Sequence, residues 1–161
     1  MSKIATCLWF DHQAEAAANF YVSTFTACGQ HAALGDVMHY GKSGPQPKGT
    51  VLTVTFTLAD QELIALNGGP HFTFSPAISL FVKCADQAEV DRFWERLSDG
   101  GATNQCGWLT DRFGVSWQIV PVVLGDMLRD VDPAKADRVM QALLQMTKLD
   151  IAALKKAYEG K

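Results

Sequence analysis

The chain has 161 residues, of which 48% are hydrophobic and 19% charged, and its formal net charge is −3 at pH 7. This length and composition exclude a disordered or fibrous chain and indicate one globular domain with an ordinary core. No window concentrates lysine and arginine, and no apolar run approaches about 18 residues, which excludes a nucleic-acid-binding surface and an ordinary membrane span. The four cysteines lack metal-ligand spacing, so we expect a cytoplasmic protein with reduced thiols.

The first half of the chain has the pattern of one strand, one helix and three further strands. Apolar and polar side chains alternate in the strand segments, and Ala16, Phe20 and their neighbours recur at helical spacing between them. Asp11 lies just before the helix, where we expect it to cap the first turn. A loop rich in glycine and proline, residues 41–49, follows the second strand. The predicted elements are a strand over 4–10, a helix over 13–26, and strands over 35–41, 50–58 and 62–67.

The second half repeats this order. Asp86 is placed to cap a helix that packs through Val90, and Gly100-Gly101 ends that helix. The segment Asp111–Gly114 forms a turn between the last two strands, in which the glycine supplies an unusual backbone conformation. The predicted elements are a strand over 77–84, a helix over 86–99, and strands over 104–110 and 115–120.

A helical appendix follows these strands. Asp132-Pro133 combines a capping carboxylate with a proline at the first helical position, and Asp150 starts a second, shorter helix. One face of the first helix is apolar, and this face packs either on its own domain or on a partner in a dimer. The face comprises Ala136, Val139, Met140, Leu143, Leu144 and Thr147.

Two stretches of the chain are similar to each other. Gln13-Ala-Glu15 and Gln87-Ala-Glu89 each follow a short apolar strand, and each precedes a helix with a paired aromatic, Phe20-Tyr21 or Phe93-Trp94. Such a repeat indicates two half-domains of the same β-α type, and we expect a ligand where the halves meet. The predicted division is a paired domain over 1–122, with modules over 1–70 and 77–122, and a helical appendix of the same domain over 123–161.

The repeated βαβββ order resembles the glyoxalase/bleomycin-resistance/dioxygenase superfamily, also called the vicinal oxygen chelate fold. Four stretches of the chain resemble the PhnB-like branch of this superfamily, which is commonly labelled 3-demethylubiquinone-9 3-methyltransferase. These stretches are CLWFDHQAEAAANFYVSTF, VLTVTFTLADQELIALNGGP, AISLFVKCADQAEVDRFW and QCGWLTDRFGVSWQIVP. The usual C-terminal helices of that branch are similar to RVMQALLQMTKLDIAALKKAY. The resemblance implies an α+β fold, in which two βαβββ modules form a U-shaped or half-barrel mixed sheet, with C-terminal helices.

The resemblance also implies where a metal would be held, since each module of the superfamily usually supplies His or Gln from its first strand and Glu from its last. None of the matching residues in this chain is a carboxylate or an imidazole, and hydroxyls and amides alone offset little of the cost of dehydrating a divalent cation. The four histidines show no helical or strand pairing. We therefore expect a metal-free cavity and no cofactor. The matching positions hold Thr6, Asn67 or Ala65, Ser79 or Ala77, and Gln118.

The branch's label predicts binding of S-adenosylmethionine and methyl transfer to a ubiquinone-precursor-like phenol. Such enzymes hold the cofactor at a glycine-rich turn that opens a helix, whereas Gly68-Gly69-Pro70 precedes a loop interrupted by Pro76. Methyl transfer, a metal-dependent lyase or dioxygenase and a scaffold with a filled cavity are therefore the alternatives.

The function that we expect is binding of a small organic molecule in an apolar cavity by a homodimer, either for sequestration or for a metal-free reaction, with no nucleic-acid or membrane partner. By strand alternation, Trp117 faces the helices and Gln118 the cavity. The alternative for Gln118 is an inward amide that is hydrogen-bonded to neighbouring backbone. The side chains expected to border the cavity are Thr6, Leu8, Thr53, Asn67, His71, Ser79, Trp108 and Gln118.

Overall fold

The computed structural model describes residues 2–161 and divides the chain into two compact units. The first unit ends at Phe74 and the second comprises Ser75–Lys161. Each unit contains a strand, a helix and three further strands, and the second unit also contains the C-terminal helices. The predicted α+β fold with two βαβββ modules is therefore confirmed.

The first unit forms a four-stranded mixed sheet in the order β1-β4-β3-β2. β1 is parallel to β4, whereas β3 is antiparallel to both of its neighbours. The second strand begins earlier than its sequence pattern indicated, because it pairs with the far end of the third. The elements are β1 (Thr6–Phe10), α1 (Ala14–Ala27), β2 (Ala32–His39), β3 (Val51–Leu58) and β4 (Gln61–Asn67).

The helix α1 covers one face of this sheet. Leu8, Val54 and Ala65 lie side by side in the strand register and are buried on that face. Tyr21 of α1 stacks on Phe56, with the ring centroids 6.1 Å apart. Burial of an aromatic or leucine side chain stabilises a fold by about 2 kcal/mol, so this face supplies the core of the first unit.

The start of α1 differs from the prediction. The N-cap residue is Gln13 and its side chain makes no capping hydrogen bond, while Asp11 instead pairs with His12, Oδ2 to Nδ1, at 3.4 Å. The Asn67 side chain supplies the bond, because its Oδ1 accepts from the backbone N–H of Ala14 at 2.8 Å. The prediction of Asp11 as the cap was wrong, since an amide from β4 occupies that place across the sheet.

The second unit forms a four-stranded mixed sheet in the order β5-β8-β7-β6, in which β5 is parallel to β8. The predicted cap of its helix is confirmed: Asp86 accepts from the backbone N–H of Glu89 at 2.8 Å, and Glu89 accepts from that of Ala85 at 2.6 Å. This reciprocal pair satisfies one of the donors that a helix start leaves open and fixes the backbone of the residue before the cap. The elements are β5 (Leu80–Cys84), α2 (Gln87–Ser98), β6 (Ala102–Thr103), β7 (Trp108–Thr110) and β8 (Ser116–Pro121).

The strand predicted over 104–110 is interrupted by a 3-10 turn, Gln105–Gly107. Cys106 and Gly107 both have positive φ, 60° and 83°, and a Cβ at Gly107 would lie 2.8 Å from the Ile119 carbonyl oxygen. The backbone N–H groups of both residues donate to carbonyls of Met146 and Thr147, each at 2.8 Å. Hydrogen bonds to a distant segment therefore override the local strand pattern at this place.

Three helices complete the second unit, and the predicted starts of the last two at Asp132 and Asp150 are confirmed. Each of these carboxylates accepts from a backbone N–H in the first turn, that of Ala134 at 3.0 Å and that of Ala153 at 3.1 Å. None of the helices within residues 2–161 is long and apolar enough to cross a membrane. The helices are α3 (Val122–Leu128), α4 (Pro133–Leu143) and α5 (Ile151–Glu159).

The C-terminal helices pack on their own unit. Val139 and Leu143 of α4 are buried in an apolar cluster with Val120 of the sheet, whereas Met140 is 40% and Leu144 56% exposed. The apolar face predicted for this helix is therefore divided. Its centre is used within the unit and its edge reaches the surface.

Candidate functional site

One face of the second sheet is covered by α2 and the other faces the C-terminal helices. Leu109, Trp117 and Ile119 are buried on the α2 side, which confirms the predicted direction of Trp117. On the opposite side, Gln118 lies between Phe81 of β5 and Trp108 of β7 in the strand register, and Lys83 lies beside Val120. We call these five side chains, Phe81, Lys83, Trp108, Gln118 and Val120, the cavity face.

A cavity of about 570 Å³ lies over the cavity face. Its other wall begins directly after β8, because Pro121 leads into α3 and turns that helix over the sheet. Beyond the cavity face, its lining residues are Cys106, Pro121, Val122, Leu124, Gly125, Leu128, Arg129 and Leu143.

The cavity lining is apolar with a few polar groups. Gln118 donates from Nε2 to the Ser79 hydroxyl oxygen at 2.9 Å, which orients the amide and leaves its carbonyl oxygen as the acceptor. Cys106 donates from Sγ to the Leu143 carbonyl oxygen at 3.6 Å. Apolar walls with a few placed polar groups are typical of small-molecule sites, so the arrangement can hold an organic molecule by stacking and one or two hydrogen bonds.

The predicted site residues of the second unit lie together. Trp108 and Gln118 line the cavity, and Ser79 lies beside them through its hydrogen bond to the Gln118 amide. The amide is therefore bonded within the fold, but to a serine hydroxyl and not to the neighbouring backbone that the alternative for Gln118 named. It keeps an acceptor at the cavity.

The predicted site residues of the first unit are placed differently from one another. Thr6, Leu8 and Asn67 lie on the face that α1 covers, because their register partners on that face are buried. Thr53 lies on the opposite face, and its buried hydroxyl has no hydrogen-bond partner within residues 2–161. His71 is exposed beside Gly69. A ligand-binding role for these residues stays a prediction.

The residues at the superfamily's metal positions do not fit a divalent cation. Both polar atoms of the Asn67 amide are bonded within the fold, to Ala14 and Val51, and the Gln118 amide is bonded to Ser79. No group of three or more His, Cys, Asp or Glu side chains within residues 2–161 is placed to hold a metal ion. The Asn67 oxygen is already bonded, and the Gln118 carbonyl oxygen is a single neutral ligand that offsets little of the cost of dehydrating a divalent cation, so we derive no chemistry through a metal.

Several lining residues were missed by the sequence reasoning. Phe81 and Lys83 could have been found, because they alternate along β5 with the buried Val82 and Cys84. Helix α3 carried no comparable signal, since its seven residues are too few for a helical period to stand out.

A second, smaller cavity of about 390 Å³ lies in the first unit at the start of α1. Asp11 and Glu15 are among its lining residues, and the remaining ones are largely polar. Its acidic lining distinguishes it from the cavity of the second unit.

Comparisons with known proteins agree with this architecture. A model of the 3-demethylubiquinone-9 3-methyltransferase family matches residues 2–120. The PhnB protein from Bacillus cereus is 36% identical, and the match covers 75% of this chain and 100% of that chain with a TM-score of 0.67. No curated protein matches the chain.

Two further solved structures have lower identity. A protein from Pseudomonas aeruginosa is 20% identical over 75% of this chain and 98% of that chain, with a TM-score of 0.60. A glyoxalase/bleomycin resistance protein from Albidiferax ferrireducens is 16% identical over 72% and 95%, with a TM-score of 0.45. From the family match and the Bacillus cereus relative, the chain belongs to the 3-demethylubiquinone-9 3-methyltransferase family, in the PhnB-like branch that its motifs resemble.

Proposed function

We propose that the chain binds a small organic molecule in the cavity of its second unit and that binding requires no metal ion. The observation that carries this proposal is the cavity itself, whose volume of about 570 Å³ lies within the usual range for ligand sites. Trp108 and Phe81 offer rings for stacking, and the Gln118 carbonyl oxygen offers one acceptor. Binding serves sequestration or a metal-free reaction.

The two walls of the cavity have different origins in the chain. The family match ends at residue 120, within β8, so all five side chains of the cavity face belong to the shared domain. Helix α3 and Leu143 lie beyond that match and supply the other wall. We therefore expect the family domain to provide the platform and the C-terminal helices to set the ligand's size and shape.

A fluorescence titration with N-phenyl-1-naphthylamine, a neutral apolar probe, tests the proposal. We expect one saturable site per chain, and an affinity about 10-fold lower in Trp108→Ala, because the variant removes a stacking surface worth about 1 kcal/mol together with its apolar contact area. Trp94→Ala is the matched control, since Trp94 is a half-buried tryptophan of α2 that does not line the cavity.

The control separates the site from general loss of folding. Trp94→Ala should retain the affinity within about twofold, which corresponds to a change of about 0.4 kcal/mol or less in the free energy of binding. Equal affinities of the wild type and Trp108→Ala, or equal losses in the two variants, would contradict binding in this cavity.

Native mass spectrometry of the purified protein tests the remaining parts of the proposal. We expect twice the chain mass of 17.6 kDa, as a homodimer, and a mass increment from a co-purified organic molecule without a metal increment. A stoichiometric metal adduct would contradict the metal-free site, and a monomer at micromolar concentration would contradict dimerisation. The homodimer and a cytoplasmic location stay predictions from the sequence.

The same measurement addresses the methyltransferase alternative. We expect no adduct when S-adenosylmethionine is added, because no glycine-rich turn within residues 2–161 opens a helix for that cofactor. A specific adduct would instead support methyl transfer and replace the sequestration proposal.

A further inference from the structure

We infer that the cavity of the second unit selects organic anions: molecules with an aromatic or other apolar body and a carboxylate, sulfonate or phosphate group. This inference rests on the proposed function, since it names the class of ligand for the same cavity. It is carried by the charges of the lining, which contains Lys83 and Arg129 and no Asp or Glu among the residues that the structure describes.

Lys83 supplies a cation whose charge is not compensated nearby. It lies on β5 beside Val120 and two residues after Phe81, so its side chain points to the same side of the sheet as the aromatic platform. Within residues 2–161 it forms no ion pair. An ammonium group at the edge of an apolar cavity attracts a ligand anion more strongly than it would in open water.

Arg129 supplies the second cation from the opposite wall. Its guanidinium lies against Gly125, and a Cβ at that glycine would be only 2.9 Å from an Arg129 Nη atom. The glycine therefore leaves room for the guanidinium to lie along α3. Asp126, which does not line the cavity, forms an ion pair with Arg129 at 2.8 Å, which holds the guanidinium in this position and offsets part of its charge.

The positive lining does not follow from the overall composition. The chain has a formal net charge of −3, and the smaller cavity of the first unit contains Asp11 and Glu15 in its lining. Two cations without a lining carboxylate are therefore a local property of this one site. An apolar body would rest on Phe81 and Trp108 while an acidic group meets the cations at the margin.

The size of the effect follows from the exposure of both cations. Exposed ion pairs contribute up to about 1 kcal/mol, so we expect each cation to change the affinity about threefold and at most about fivefold. Salt screens such pairs over about 8 to 10 Å, so the preference for anions should decrease as ionic strength rises.

Two fluorescent probes with the same ring system provide the test. 1-Anilinonaphthalene-8-sulfonate carries a sulfonate, and N-phenyl-1-naphthylamine lacks it. We expect the anionic probe to bind about 10-fold more tightly at low salt. Lys83→Met and Arg129→Met should each weaken the anionic probe about threefold and leave the neutral probe unchanged.

Matched charge-removing controls exclude a general effect of net charge. Lys42→Met and Arg92→Met remove the same charges from exposed positions outside the cavity lining, and both should leave the two probes unaffected. Competition with 1-naphthoate and 1-naphthyl phosphate then distinguishes a carboxylate ligand from a phosphate ligand, with 1-naphthol as the neutral reference.

The outcomes separate this inference from the proposed function. Equal affinities for the two probes, with both weakened by Trp108→Ala, would overturn anion selection and leave the cavity as a binding site. Insensitivity of the anionic probe to both Lys83→Met and Arg129→Met would overturn it as well. If the Trp108→Ala variant binds both probes as tightly as the wild type does, the proposed function itself would be overturned.

Discussion

Replacement of Asp111 by alanine is expected to destabilise the second unit by about 4 kcal/mol. The carboxylate is 3% exposed, and its Oδ1 accepts from the backbone N–H groups of Phe113 at 2.8 Å and Val115 at 3.1 Å. Its Oδ2 accepts from the Trp117 indole N–H at 2.9 Å. The variant removes the acceptor for all three donors, and each buried unpaired donor costs about 1 to 3 kcal/mol.

Equilibrium denaturation in urea measures this loss. Asp99→Ala is the control, because Asp99 is exposed and its ion pair with Arg112, at 2.8 Å, should contribute less than about 1 kcal/mol. Asp111→Asn keeps one acceptor and turns an amide N–H toward a donor, so its loss should lie between those of the two alanine variants. A loss below about 1 kcal/mol in Asp111→Ala would contradict the proposed role of the carboxylate.

Asp111 also connects the turn to the candidate site. Its bond to Trp117 fixes a side chain on the α2 face of β8, and Gln118 follows directly on the cavity face. A strand whose helix-facing side is anchored presents its opposite side in a defined register. The turn therefore holds the cavity face in position as well as joining two strands.

The sequence predicted those features that depend on local pattern. Alternation of side chains gave the separate faces of Trp117 and Gln118, and carboxylates before apolar helices gave the starts at Asp86, Asp132 and Asp150. Each of these features requires only neighbours along the chain, because strand faces and helix caps are set within a few residues.

Features that depend on how separate segments pack against each other could not be predicted in this way. The break at Cys106 depends on carbonyls about 40 residues further along the chain, as the separation from Met146 shows. The role of Asp111 beyond a simple turn residue depends on the Trp117 indole. Helix α3 forms one wall of the cavity, yet its seven residues are too short to show periodicity.

Asn67 illustrates the same distinction at a predicted site residue. The family resemblance placed it among the ligand positions, and the sequence placed Asp11 at the start of α1. In the structure the Asn67 amide bonds both the helix start and β3, because β4 brings it beneath the first turn. A polar residue at the end of a buried strand is therefore explained by helix capping as well as by ligand contact.

Asn67→Ala is accordingly expected to destabilise the first unit by about 3 kcal/mol. The variant leaves the Ala14 N–H without its 2.8 Å acceptor and the Val51 carbonyl oxygen without its 3.1 Å donor, in a residue that is 9% exposed. Thermal and urea denaturation measure the loss. Asn19→Ala is the matched control, because the exposed Asn19 side chain donates to the Glu15 carbonyl oxygen within α1 and does not connect separate elements.

The free energy of unfolding should fall in Asn67→Ala but not in the control. Alanine has a higher helix propensity than asparagine, so Asn19→Ala should leave the stability unchanged or raise it by about 0.5 kcal/mol. Similar stability of Asn67→Ala and the wild type would show that α1 does not need this cap. Asn67 would then remain a candidate for contact with a ligand. A large loss, together with unchanged binding of N-phenyl-1-naphthylamine, would assign Asn67 to the fold of the first unit and the ligand to the second.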